Sequence, residues 1–378
     1  MQIYVVSAGD TIYQIASRFR VSPDQIIYDN QITFPDRLTV GQALLIQEGN
    51  EIGSSYPLVT GGYAYPFIRP WVLQSTLPYL SELLIFSYGF TLEGTLVPPQ
   101  LDEEWMIQTA ISYRSRPILV LTPFDETGKF NNYLVHTVLR DPARKEQLLF
   151  SLLSTVQQKN YSGVDIDFEY ILAEDREIFA EFVSETSELM RANGYTTSVA
   201  LAPKTSRDQP GLLYEGKDYA LLGAAADQVL LMTYEWGYTY GPPMAVAPLP
   251  NVRKVVEYAI TEIPPEKIRL GIPNYGYDWA LPYERGVTVA QTIGNIEAVD
   301  IAITHEAEIL FDPTALSPYF YYTENGIQHV VWFEDIRSMQ AKFELIKDFN
   351  LNGVGYWQIM KLFRANWILL AENFSIQK

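Results

Sequence analysis

From Leu58 onward, short apolar runs rich in β-branched and aromatic residues alternate with longer stretches of helical periodicity, the pattern of successive parallel βα units. Strands are expected near 58–65, 83–90, 117–122, 163–168, 197–202, 228–233, 268–273 and 353–357. Eight such strands predict an α/β fold, a (β/α)8 TIM barrel. Length agrees: 378 residues exceed one ordinary domain, and a single α/β barrel absorbs about 250. Between the strands, Arg144 to Gln158 carries Leu148, Leu149, Leu152, Leu153 and Val156 on one side of a helix. The seventh strand is followed by a long stretch, about 280–335, in which Tyr319 to Tyr322 and His329 to Phe333 read as strands. A small α+β insertion is expected there.

Ahead of the barrel, residues 1–47 read as strand, helix, helix, strand. Ile3 to Val6 alternate at the start and Gln42 to Ile46 at the end. Thr11 with Gln14 forms a capping-box pattern, followed by Ile12, Ile15, Ala16 and Phe19 at helical spacing. Ser22 and Pro23 begin a second helix that Asn30 ends. The string YVVSAGDTIYQIASRFRVSPDQIIYDNQI, continuing to LTVGQALLIQ, resembles the LysM domain along its whole length, including the VGQ turn at Val40 to Gln42. That resemblance implies binding of N-acetylglucosamine-containing glycans such as peptidoglycan and chitin. Polar residues 48–56, with Gly49, Gly53, Ser54 and Ser55, read as a linker, leaving 57–378 for the barrel.

The chemistry concentrates in Ser162 to Tyr170, SGVDIDFEY. Alternate residues of a strand share a face, so Val164, Ile166 and Phe168 point one way and Asp165, Asp167 and Glu169 the other. In a parallel barrel the face away from the helices is the interior, which encloses the acids. Crowding ionisable acids in a partly desolvated cavity keeps a proton among them, and a carboxylic acid protonated near neutral pH is what glycoside hydrolysis requires. Glu169 stands at the carboxyl end of the strand, where barrel active sites open, and is the best acid candidate. Taken alone, the segment also admits a solvent-facing strand or a site for a hard divalent cation.

Composition narrows the function classes. A formal net charge of -18 argues against nucleic-acid backbones as ligands. No stretch approaches the length of a membrane span, which predicts a soluble protein. The chain has no cysteine and only His136, His305 and His329, leaving zinc hydrolysis little to work with; no cofactor and no metal are called for. There is no GxSxG elbow and no phosphate-binding GxxxxGK[ST] loop. Aromatic residues make up 13% of the chain and offer flat faces on which sugar rings stack. Met1 to Val6 runs straight into a strand without the regions of a secretory signal, so export, if it occurs, needs another route.

The acidic strand resembles the DGxDxDxE signature of the family 18 glycoside hydrolases, the chitinase-like barrels. Gly163, Asp165, Asp167 and Glu169 match it, with Ser162 in place of the first Asp. Met232 to Glu235 resembles the family's MxYD on the sixth strand, with Glu235 replacing the Asp, and Gly353 to Trp357 suits the eighth. Leu121 to Phe124, LTPF, stands where a chitinase would show an SxGG-like third strand. The LysM with GVDIDFEY, MTYEWG, GIPNYGYDW and GYWQI looks like the spore cortex-lytic N-acetylglucosaminidases of spore-forming bacteria. The resemblance implies a retaining, substrate-assisted mechanism, for which this family is an exception to the two-carboxylate rule. Glu169 is then acid and base, Asp167 orients the substrate acetamide, Asp165 is its partner, and Tyr234 donates to the acetamide. Trp357 forms the floor, and Tyr170, Met232 and Glu235 are further contacts. Tyr275, Asp278 and Trp279 are weaker candidates for aglycone subsites. The expected function is hydrolysis of β-1,4 N-acetylglucosaminyl bonds of peptidoglycan, spore cortex during germination above all, with the spore coat or cortex or the cell wall as the location. A chitinase and a non-catalytic glycan-binding lectin are the alternatives.

Overall fold

Eight parallel strands close on themselves in the computed structural model, which describes residues 1–49, 55–124 and 128–378. They are Pro57–Ala64, Glu82–Phe90, Arg116–Leu121, Gly163–Ile166, Thr196–Leu201, Gln228–Leu231, Ile268–Pro273 and Gly353–Trp357. Each pairs with the next in sequence, and the eighth returns to the first through Val354 opposite Thr60 and Gly355 opposite Gly61. A sheet covered by helices outside and packed within must be apolar on both faces, as ELLIFSYGF of the second strand is.

The outer helices are set by their ends. Pro142–Lys159 begins where the Asp141 carboxylate accepts the amides of Ala143 and Arg144, and stops where Asn160 turns left-handed at φ 60°. Leu148, Leu152 and Val156 form its buried stripe. Inside the barrel, Tyr63, Leu84, Phe86, Ile118, Val120 and Leu230 fill one cluster. Below them the buried Glu82 carboxylate is held by Arg269, and by Arg116 at 2.6 Å.

Two strands are shorter than the sequence predicts. The fourth ends at Ile166 and the sixth at Leu231, where 168 and 233 were expected. One ladder bond follows each, Asp167 N to Leu121 O and Met232 N to Leu201 O, both 2.9 Å. The chain then bends: the amides of Thr233 and Tyr234 turn back onto the carbonyls of Leu231 and Met232. Asp167, Glu169 and Tyr234 consequently stand on the rim rather than within the sheet.

The insertion begins at Gly276, earlier than the expected 280, because Gly276–Ala280 is already a strand of its antiparallel sheet. Ile327–Trp332 and Ser317–Glu324 pair beside it, and helix Asn295–Thr304 covers one face. Ile293, Ala298, Ala302, Phe320 and Val331 form its separate core.

The N-terminal unit has the expected βααβ order, Gln2–Val5, Ile12–Phe19, Pro23–Asp29 and Ala43–Ile46. The Thr11/Gln14 capping box is present, whereas the Ser22 hydroxyl caps nothing. Asn30 ties the second helix to the last strand, donating to the carbonyls of Ile26 and Leu45 and accepting from Leu45 N. Most of the expected linker, 50–54, lies outside the described residues. Around it the two units are in firm contact. Thr39 Oγ1 donates to Ala307 O at 2.5 Å, Ile309 N to Val40 O at 2.9 Å and Arg337 to Gly41 O at 3.1 Å. Arg364 donates to Gln31 and Tyr28 and stacks on the Tyr28 ring at 3.9 Å.

Candidate active site

The acids of the fourth strand occupy two depths. Asp165 is the lower: wholly buried in the barrel, it accepts from Tyr63 Oη at 2.8 Å and Ser198 Oγ at 2.5 Å. Burial raises its pKa, and the two hydroxyls and Arg269 pull it back. Asp167 and Glu169 line a cleft of about 730 Å³ at the carboxyl ends of the strands, within the size range of a small-molecule site.

Asp167 is 6% exposed, and its Oδ1 has no hydrogen-bond partner among the described residues. Its pKa is raised well above the ordinary carboxylate value by burial first, then by the charges of Glu169 and Asp165, against the pull of Lys217. Glu169 is partly buried and its pKa is also raised by burial, opposed by the Lys217 ammonium and a hydrogen bond with Tyr170. A raised pKa suits Glu169, the more exposed of the two, to give up a proton as an acid, and the Asp167 oxygen beside it can accept from a ligand N–H.

Tyr234 also lines the cleft, its phenol kept protonated by burial and by the surrounding acids. Trp357 forms an apolar wall with Phe86 (ring centroids 5.0 Å), Tyr65 (6.1 Å) and Tyr63 (5.6 Å). Tyr170 and Met232 line the same cleft, and Tyr170 is 39% exposed. Glu235 accepts from the phenols of Tyr275 and Tyr277. Tyr170 and Glu235 both take left-handed backbone, φ 53° and 67°. Such residues cost about 1–3 kcal/mol and cluster at ligand sites.

The structure thus brings seven of the eight sequence candidates to one cleft, with Asp165 directly beneath. The weaker aglycone candidates are corrected. Trp279 is fully buried and donates to Gly241 O at 2.9 Å, while Asp278 is engaged by Tyr322 and His329 inside the insertion. Tyr275 is 3% exposed and supports Glu235 instead; Tyr277, between them, reaches the cleft. These strand partners lie some fifty residues apart, beyond any local pattern.

Sequence reasoning missed Tyr63, Ser198 and Lys217, and the aromatic lining of Tyr65, Phe86, Phe124, Phe130, Tyr214, Trp236 and Tyr238. Tyr63 and Ser198 could have been found, since each sits in a predicted strand. Lys217 lies in a loop with no periodicity. Among the described residues one group could hold a metal ion, His136, Glu174 and Asp175, but Arg140 already donates to Asp175 at 2.8 Å.

Two family models match the chain, LysM over residues 4–47 and "Glycosyl hydrolases family 18" over 128–361, more than half its length. The cortical fragment-lytic enzyme of Bacillus subtilis is 36% identical over 430 aligned residues, covering all of this chain and 99% of that protein. The crystal structure of the Bacillus megaterium spore cortex-lytic enzyme SleL superposes with a TM-score of 0.94 at 32% identity, covering 100% and 99% of the two chains. A chitinase from Chromobacterium violaceum, 23% identical over 84% of this chain and 98% of its own, shares the fold with a TM-score of 0.76. With the closed barrel, the acid-lined cleft at its carboxyl end and these matches together, the chain belongs to family 18 of the glycosyl hydrolases.

Proposed function

We propose that the protein hydrolyses β-1,4 N-acetylglucosaminyl bonds of spore cortex peptidoglycan, with retention of configuration and with the substrate's own acetamide as nucleophile. The observation that carries this reading is the placement of Glu169, held toward its protonated form by burial, beside the unpartnered Asp167 oxygen in a cleft walled by Trp357. Retaining enzymes otherwise use two carboxylates about 5 Å apart on opposite faces of the sugar; family 18 replaces the second with the acetamide.

In this mechanism Glu169 gives its proton to the leaving oxygen as the acetamido carbonyl attacks the anomeric carbon, forming an oxazolinium ion. Asp167 Oδ1 accepts from the acetamide N–H and faces the developing positive charge, and Asp165 beneath it adds negative potential. Tyr234 donates to the acetamide oxygen, and Trp357 supplies the flat face beneath the reacting ring. Glu169 then takes a proton from water, which opens the oxazolinium. Glu235, fixed by Tyr275 and Tyr277, lines the neighbouring wall and orients the sugar.

The relatives named as acting on cortex or its fragments match this chain end to end, which supports cortex as the substrate and the cell wall or cortex as its place. The LysM unit suits a glycan of the same repeat.

The test is mass analysis of products from purified cortex, vegetative peptidoglycan and chitin oligomers. Muropeptide fragments ending in reducing N-acetylglucosamine, formed fastest from cortex, are expected. Faster cleavage of chitin oligomers would make the protein a chitinase, and binding without cleavage of any of them a lectin.

A further inference from the structure

Lys217 is wholly buried, an uncommon state for a lysine, and no acid pairs with it directly through a hydrogen bond among the described residues. Its Nζ donates instead to two backbone carbonyls, Phe168 O and, at 3.2 Å, Ala200 O. Phe168 is the residue between Asp167 and Glu169, so the ammonium grips the peptide that carries both acids. The face of the Phe179 ring lies 5.1 Å away on one side. Lys217 is itself secured: a second buried lysine, Lys204, donates to Lys217 O and Arg207 O at 2.8 Å each. The adjoining Gly216 lies so close to Ile171 that a Cβ would come within 2.2 Å of its carbonyl oxygen. The loop after the fifth strand is therefore locked onto the loop after the fourth.

We propose that Lys217 is a positioning residue of the glycosidase, an internal cation that clamps the Phe168 peptide and so fixes Asp167 and Glu169 in the cleft. This rests on the role of Glu169 argued above. The charged and titratable groups facing Lys217 are Asp165, Asp167 and Glu169. Those facing the acid pair are Asp165 and Tyr170 on its own segment and Glu235, Tyr234, Tyr63 and Tyr65 from other elements. Lys217 is the one cation in this set, and it opposes the effect of burial on both Asp167 and Glu169. Burial in turn lowers the lysine to about 8, with the three acids working the other way. Removing that charge would favour the protonated form of both acids and weaken Asp167 as an acceptor for the acetamide.

The proposal is tested with Lys217→Met and Lys217→Cys. The chain has no cysteine, so 2-bromoethylamine applied to the denatured Lys217→Cys protein restores an ammonium of lysine length at this position alone. Wild type taken through the same denaturation and refolding is the control. On cortical fragments, Lys217→Met is expected to lower kcat by about a hundredfold or more with KM within a few-fold. The midpoint of the acidic limb of kcat/KM should rise by about one pH unit. Aminoethylation should return both toward wild type. An unmoved acidic limb, or no recovery on aminoethylation while control wild type recovers, overturns the proposal. So does failure of Lys217→Met to fold, which would make the role structural, since the acids left behind can take up a proton. Wild type inactive on cortical fragments would instead defeat the functional reading itself.

Discussion

Two glycines of the N-terminal unit offer a direct measure of how tightly it is docked. Gly9 and Gly41 have nearly the same left-handed backbone, φ 85° and 83°, but a Cβ on Gly9 meets open space, whereas one on Gly41 falls 1.8 Å from Ile309 O in the insertion. Alanine at either position incurs the left-handed penalty, about 1–2 kcal/mol. At Gly41 the chain must also move, and the Thr39, Ile309 and Arg337 hydrogen bonds across the seam stretch or break. Three such bonds at roughly 1 kcal/mol each bring the extra cost to about 3 kcal/mol, more than a hundredfold in the docked-to-undocked ratio. Hydrogen exchange at the Ile309 amide reads that ratio. It should accelerate by two orders of magnitude in Gly41→Ala and hardly at all in Gly9→Ala. Turnover of small soluble fragments should stay near wild type in both, because no cleft residue is touched. Equal exchange in the two variants would refute the docking argument.

Other consequences are open to measurement. Asp167 is buried with an unpartnered oxygen and a raised pKa, so its ionisation opposes folding: that stability is present below the ordinary carboxylate pKa and lost as pH rises through the folded value. Asp167→Asn should therefore raise the melting temperature at pH 7 by the equivalent of about 1–3 kcal/mol, the gain vanishing near pH 4, while kcat falls at least about a hundredfold. Arg269→Met leaves Glu82 buried beside only the half-exposed Arg116 and should cost about 3–5 kcal/mol in denaturant unfolding; adding Glu82→Gln should return most of it. Tyr234→Phe should reduce kcat far more than it raises KM, the mark of a bond that tightens in the transition state.

How much of this was legible in the sequence follows from the range of the interactions. The alternation of Asp165, Asp167 and Glu169 is local, and it placed the acids on the interior side even though only Asp165 remains inside the strand. The eight strands were legible because parallel strands buried on both faces are continuous apolar runs. Lys217 was invisible because its burial is imposed by a loop closing onto Ile171 and Phe168. The seam at Gly41 was hidden for the same reason, since its partners Ala307 and Ile309 are more than 260 residues away and contribute backbone atoms, which no side-chain pattern encodes. Asp278 and Trp279 followed a cleft-like string, yet on their strand of the insertion sheet they point to opposite faces, Asp278 to Tyr322 and His329 of the insertion and Trp279 into the main core against Gly241 O.

Glu169→Gln tests the central claim most directly, because the amide keeps the shape of the side chain and removes its transferable proton. Turnover and equilibrium binding of purified cortical fragments should be measured side by side on wild type and variant. In the variant kcat should fall by about a thousandfold or more, with affinity within a few-fold of wild type and the melting temperature not lowered. A variant that retains more than about a tenth of wild-type turnover would show that the proton comes from elsewhere, and the assignment of this cleft as a Glu169-driven glycosidase would be wrong.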